Sequence, residues 1–193
     1  MFNLIVAVIS IALIAVMAIA SIFYGGDGFS KSSARVEAAT LIGQAQQIAG
    51  AAALFRIENS GSNVASTQPD CDFGSLESCA INRLSAGGYL QSIPKPQPGV
   101  YYQDETFTAS WAVSDDGSTA FLIMTDREGV ADSICAEVEA QGGGSKLPGF
   151  MANEEGSAYT AQKFLFGSID QVYRCADIDI GGGAALTVFG YRL

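Results

Sequence analysis

LIVAVISIALIAVMAIASIFY fills residues 4–24 without one charged side chain, and the first charge of any kind is Asp27. About 20 apolar residues rising 1.5 Å each span the roughly 30 Å hydrocarbon core of a bilayer. Three structures would use such a stretch. A cleaved secretory signal needs a basic leader region, and no Lys or Arg precedes Lys31, although Ala18-Ile19-Ala20 resembles a cleavage site. A buried core helix seldom stays apolar on every face. The reading adopted is a retained membrane helix over residues 1–24. Lys31 and Arg35 follow the span, which by the positive-inside rule points the remainder to the cytoplasm. The cysteines point to an oxidising compartment instead. A basic leader ahead of Met1 reconciles the two, and a chain that opens directly on its membrane helix reads as a processed product.

The rest of the chain differs in kind. Of the whole chain's 193 residues, 49% are hydrophobic and only 16% charged, against roughly 25% charged in an average soluble domain. Residues 1–60 balance Lys31, Arg35 and Arg56 against Asp27, Glu37 and Glu58, so the whole net charge of −10 lies in residues 61–193. A surface of that sign repels phosphate backbones, and no nucleic-acid partner is expected. The absence of histidine removes His-based triads and His-ligated metals.

Gly25-Gly26-Asp27-Gly28 reads as a helix joint, because each glycine costs about 1 kcal/mol in a helix interior. Ser30 then offers an N-cap for a second helical stretch reaching about Glu58. With a seven-residue period, Ala34, Leu41, Ile48 and Phe55 share one face, with Ala38, Ala45 and Ala52 beside them. This large-and-small seam predicts packing on the chain's own head. Ala45, Ala49 and Ala53 add a row of small residues that would admit a neighbouring helix. Asn59-Ser60-Gly61 ends the helix, so the second segment covers residues 25–59.

Residues 60–193 predict a small acidic α+β head with an antiparallel sheet. Leu76–Leu84 reads as a short helix, and Ala109–Ser114 and Ala120–Thr125 as strands joined by the Asp115–Ser118 hairpin. Val130–Ala140 reads as a helix, 141–162 as mostly loop, and Phe164–Phe166 and Leu186–Tyr191 as strands. Four cysteines, Cys71, Cys79, Cys135 and Cys175, suggest two disulfides. Three connectivities exist. The favoured one pairs Cys71 with Cys79 and Cys135 with Cys175. Spacings of 8, 56 and 40 do not suit zinc.

Chemical motifs are scarce. Gly142–Lys146 (GGGSK) is not a phosphate-binding loop and reads as a flexible loop. The Asp177-Ile-Asp179 start of a calcium loop finds Val188, not Glu, at its twelfth position, leaving only calcium binding of another type. Glu154-Glu155 and Asp115-Asp116 read as solvated loops. No catalytic constellation and no cofactor are expected.

An apolar helix continuing into an amphipathic one, then AFLIMTD, VADSICAEVEA with Cys135, Cys175 and a final LTVFGY, resembles a type IV pilin, the type IVb branch in particular. The resemblance implies a structural subunit of an extracellular filament. Its partners would be identical subunits in a helical homopolymer, an inner-membrane pool before assembly, the pilus assembly machinery and a prepilin peptidase. It implies filament-core packing by Phe2, Leu4, Ile5, Val8, Ile9, Ile11, Leu13, Ile14, Met17 and Ile22, to which the residues themselves add the joint at Gly25, Gly26 and Gly28 and the helix-packing seam of Leu41, Ala45, Ile48, Ala52 and Phe55. The chain departs from the family at the fifth mature position, where a glutamate usually neutralises a neighbour's N-terminal amine. Here Ile5 stands there, or Val6 if Phe2 is the mature start. Asn3 and backbone carbonyls, a wet surface, or a different stacking would have to serve. The alternatives are a secretion pseudopilin, a minor tip subunit, or a monomeric membrane-anchored periplasmic binding domain.

Overall fold

The computed structural model describes residues 2–64, 79–101, 103, 109–114, 117–124, 129–151, 171–179 and 185–193. Helix α1 runs from Phe2 to Glu58 without interruption, 57 residues and roughly 85 Å at 1.5 Å per residue. No helix break occurs at the expected joint: Gly25, Gly26 and Gly28 lie inside the helix, and Ser30 does not cap a second one. Propagating an existing helix adds a hydrogen bond per residue with no new nucleus, so long flanking turns carry three poor helix formers. The end falls where the sequence places it. Ser60 takes a left-handed φ of 55°, and the Gly61 amide donates to the Arg56 carbonyl at 2.7 Å, closing the last turn.

Short helix α2 (Cys79–Ala86) and helix α3 (Val130–Ala140) accompany five strands: β1 (Ala112–Val113), β2 (Thr119–Met124), β3 (Gly144–Met151), β4 (Tyr173–Asp179) and β5 (Ala185–Arg192). They form one sheet in the order β1-β2-β5-β4-β3. Trp111, Leu122, Ile134, Val138 and Phe189 fill the space between the sheet and the helices, with Trp111 and Phe189 edge to face at 5.9 Å. Alternation along β5 sends Phe189 inward and Val188 outward, where Val188 and Ala176 hold a smaller apolar cluster.

Several expectations change here. The sheet is mixed rather than antiparallel, because β3 pairs with β4 in parallel, with two register shifts. β3 replaces the loop expected from residue 141 onward. Its sequence GSKLPGFM is poor in β-branched residues, and Pro148 fits only an edge strand. β4 was not foreseen at all, β1 is shorter than its expected run, and the 164–166 strand lies outside the described residues. The hairpin is closed by the Gly117 amide donating to Ser114 O at 2.7 Å, with Gly117 at φ +67°.

One disulfide is described where two were expected. Cys135 on α3 bonds Cys175 on β4, joining the helix layer to the sheet. Cys71 and the side chain of Cys79 lie outside the described residues. Closing 40 residues of chain restricts the unfolded state by about 4 kcal/mol on the loop-entropy estimate. Replacing Cys135 and Cys175 together by Ala should therefore lower the melting temperature in detergent by about 10 °C. Circular dichroism checks this, and an unchanged midpoint would make the crosslink energetically idle.

Candidate functional site: the long helix and its junction with the head

The two halves of α1 meet different surroundings. Leu4–Ser21 is apolar and long enough to cross a membrane, and none of it is buried. Leu4, Ile5, Val8, Ile9, Ile11, Leu13, Ile14 and Met17 are all exposed, from 72% at Leu4 to 54% at Ile9. Phe2 and Ile22 belong to the helix, but their side chains lie outside the described residues. Ser10 and Ser21 each turn their hydroxyl back onto a carbonyl one turn earlier, those of Val6 and Met17, at 2.9 Å. The only side-chain hydroxyls of this span therefore donate within the helix, which suits an apolar surrounding.

The C-terminal half is gripped by the head. Leu41, Ala45, Ile48, Ala52 and Phe55 are buried, together with Ala34 and Ala38. The small residues let α3, the head element that α1 touches most, approach closely. The small-residue row divides: Ala45 is covered by the head, Ala49 half covered, and Ala53 exposed. The face turned away from the head carries exposed Val36, Leu54 and Ile57, with open space over Gly43 and Gly50. Val36, Gly43, Gly50 and Ile57 are seven residues apart, so they form one line along the helix.

Polar ties fix the junction. Arg35 donates from Nε to Glu137 Oε2 at 3.1 Å, and the Glu137 side chain is only 8% exposed on α3. Gln44 accepts from Trp111 Nε1 at 2.8 Å and donates to the Lys95 carbonyl at 3.0 Å. Arg56 donates to Asn63 Oδ1 and to the Gly117 carbonyl. Arg83 lies over the Phe55 ring at 4.8 Å and donates to the Val64 carbonyl. Sequence reasoning missed these ties. Their signal is a polar residue interrupting an apolar face, as Glu137 does beside Ile134 and Val138, but its partner is 102 residues away.

An open groove of about 240 Å³ lies between α1 and α3, lined by Lys31, Ala34, Ser133, Ala136 and Glu137. It is smaller than the roughly 300–1,000 Å³ of most small-molecule sites. No group of three potential metal-ligating side chains occurs among the described residues. Asp177 is engaged by Lys146 at 2.8 Å and by Thr187 at 2.8 Å. Comparison with protein-family models, curated proteins and solved structures finds no match.

Two head groups hold their protons unusually tightly. The Tyr89 hydroxyl donates to Glu58 at 2.7 Å, and that bond raises its pKa above the ordinary 10.0. Partial burial works against the Lys146 ammonium, but hydrogen bonds to Asp132 and Asp177 outweigh it and raise its pKa above 10.5. Groups raised on folding stabilise fully below their unfolded values and lose that contribution as pH climbs through the folded ones. The melting temperature should hold to about pH 10 and fall above it. Tyr89→Phe and Lys146→Met together should flatten that fall; an equally steep decline in the double variant would assign it to other groups.

Proposed function

We propose that this protein is a structural subunit of an extracellular, type IV pilus-like filament, with an inner-membrane pool before assembly. The observation that carries the reading is the wholly exposed Leu4–Ser21 half of a helix whose other half is bound to a folded head. An apolar surface of that extent does not persist in water. The same surface would dissolve in lipid in the waiting subunit and then bury against copies of itself, at about 25 cal/mol per Å². The outer line of Val36, Gly43, Gly50 and Ile57 would continue the packing surface toward the head. The partners are identical subunits and, on the family resemblance, an assembly machinery and a prepilin peptidase. The acidic head disfavours polyanionic partners.

A second reading is a monomeric membrane-anchored domain. It draws on one specific observation: Leu41, Ala45, Ile48, Ala52 and Phe55 are covered within a single chain, so this seam does not itself require a neighbour. A secretion pseudopilin would share both features.

Electron microscopy of material sheared from producing cells, with mass spectrometry of the same fraction, separates the readings. Filaments built of this chain are the expected result; chain confined to membranes, with no filaments, would move the assignment to an anchored domain or pseudopilin. An Ile9→Asp variant should reduce filament yield at least tenfold while leaving the melting temperature of the detergent-dispersed head unchanged, because a charge mid-span costs about 3 kcal/mol or more in hydrocarbon. Replacing Gly25 and Gly26 by Ala adds about 1 kcal/mol of helix preference at each site. It should stiffen the filament in bending measurements, and unchanged stiffness would deny these glycines a mechanical role.

A further inference from the structure

The charges of α1 are segregated along its whole length. Counted in sevens, the line from Val8 through Val36, Gly43 and Gly50 to Ile57 holds no charged residue. The line from Leu4 through Gln46 to Ala53 holds none, nor does the line from Ile5 through Gln47 to Leu54. All six charged residues of α1, Asp27, Lys31, Arg35, Glu37, Arg56 and Glu58, fall on the other four positions of the repeat. In a heptad the three uncharged lines are positions a, d and e, which adjoin on one face. Because α1 is one uninterrupted helix, that face runs without a break from the apolar span to the head.

The head does not reach this face. Val36 lies about 200° around the helix from Ala34, and Gly50 about 200° from Ile48. Ala34 and Ile48 are buried against the head, whereas Val36, Leu54 and Ile57 are exposed, Ile57 by 77%. Gln46, Gly50 and Ala53 are exposed too, and a Cβ at Gly43 or Gly50 would meet nothing within 4 Å. The Thr40 hydroxyl donates to the Val36 carbonyl at 2.8 Å, and that of Ser33 to Glu37 at 3.2 Å, so both are satisfied within the helix. Lipid does not cover the upper part. Leu4–Ser21 already fills the hydrocarbon depth, and Val36 stands fifteen residues further on, roughly 22 Å beyond Ser21. A strip about 85 Å long and about 10 Å wide measures roughly 850 Å², close to the roughly 800 Å² that each partner gives to a stable complex.

We propose that this face binds the same face of a second copy of this chain, the two α1 helices running parallel and in register as a left-handed two-stranded coil. Two chains inserted alike in one membrane are parallel, and a sustained seven-residue repeat winds the pair left-handed. Gly43 and Gly50 on the central line let the backbones approach closely. Gln46 sets the register. Opposite its own copy, each amide has an amide to bond. A slip of one repeat would set it against Ala39 or Ala53 and leave it unpaired. The heads, gripped about 200° away, stand on the outer sides of the pair and do not collide. The pair does not rest on the filament reading, since two chains waiting in a membrane suffice to make it.

The test uses the full chain in density-matched detergent micelles, followed by sedimentation equilibrium. Wild type should sediment as a dimer. Gly43→Lys with Gly50→Lys sets like charges on a face that the head does not touch. It should weaken the dimer about tenfold or more and leave the melting temperature of the head unchanged. A monomeric wild type, or a dimer indifferent to the two lysines, overturns the proposal. Register is read by oxidising variants with one added cysteine, with wild type as the blank for the native cysteines. Gly50→Cys should couple to its own copy about fivefold or more faster than Lys31→Cys, which lies on the far side of the helix. Gly43→Cys mixed with Gly50→Cys should cross-couple far less than either couples to itself, and Gln46→Leu should relax that preference without dissolving the dimer. Cross-coupling as fast as self-coupling overturns the in-register pairing. Filaments formed by a chain that is monomeric in micelles overturn the pair and leave the filament reading standing; a dimer that never forms filaments does the reverse.

Discussion

A helix cannot cover its own length, and most of this structure follows from that constraint. Leu4–Ser21 and the head-bound seam from Ala34 to Phe55 are parts of one uninterrupted rod. The head holds the second part and leaves the first wholly uncovered. Typical monomers expose apolar patches of about 300–600 Å² at most. The apolar half must therefore be covered by something other than this chain's own fold, whether lipid, other copies, or each in turn. The head, crosslinked internally by Cys135–Cys175, holds this rod by one end.

The grip explains why the stalk is so nearly free of charge. From Ala38 to Phe55 it carries none. Charges stand at the two ends of that run: the head engages Arg35 through Glu137 on one side and Arg56 through Asn63 and the Gly117 carbonyl on the other, while Glu37 accepts from Ser33 on the helix itself. Gln44, in the middle, satisfies the Trp111 indole and a loop carbonyl. Orientation of the head about the rod is thus set by polar contacts at three levels, while burial of the seam supplies the attraction. The opposite face is left neutral, notched at Gly43 and Gly50, and able to approach an apolar neighbour without desolvating a charge.

Elements whose partners do not alter their pattern were legible in the sequence. The apolar span, the seam at seven-residue spacing, α3 from Val130 to Ala140, and the β2 and β5 runs all announce themselves by periodicity. β3 and β4 do not. The glycines of β3 look like loop chemistry, yet a Cβ at Gly143 would collide with the Val138 carbonyl, and one at Gly144 would displace the Arg174 guanidinium. β4 reads YRCADID, a strand with charges on both faces whose burial comes from the elements packed against it. Gly25-Gly26 does not break the helix, since a local penalty of about 1 kcal/mol per residue yields to the cooperativity of 57 residues. Of the candidate site, the apolar residues could be read directly. Glu137 could not, because its role is set by Arg35, 102 residues away in sequence.

The placement of the disulfide ties these points together. α3 is the head element in closest touch with α1, and it lies in the helix layer. β4 lies in the sheet, hydrogen-bonded to both β3 and β5. Cys135–Cys175 is a side-chain crosslink between the two layers, besides the backbone that joins α3 to β3. In a filament, a pull along α1 enters the head through the seam and the Arg35–Glu137 pair, both seated on α3. Without the crosslink, that load would reach the sheet through the backbone joining α3 to β3, through side-chain packing and through hydrogen bonds such as Arg56 to the Gly117 carbonyl. With it, the load passes directly into a strand held by ladders on both sides. The bond adds a second covalent path from the layer that holds the rod into the sheet, and the filament reading would give that path a load to carry.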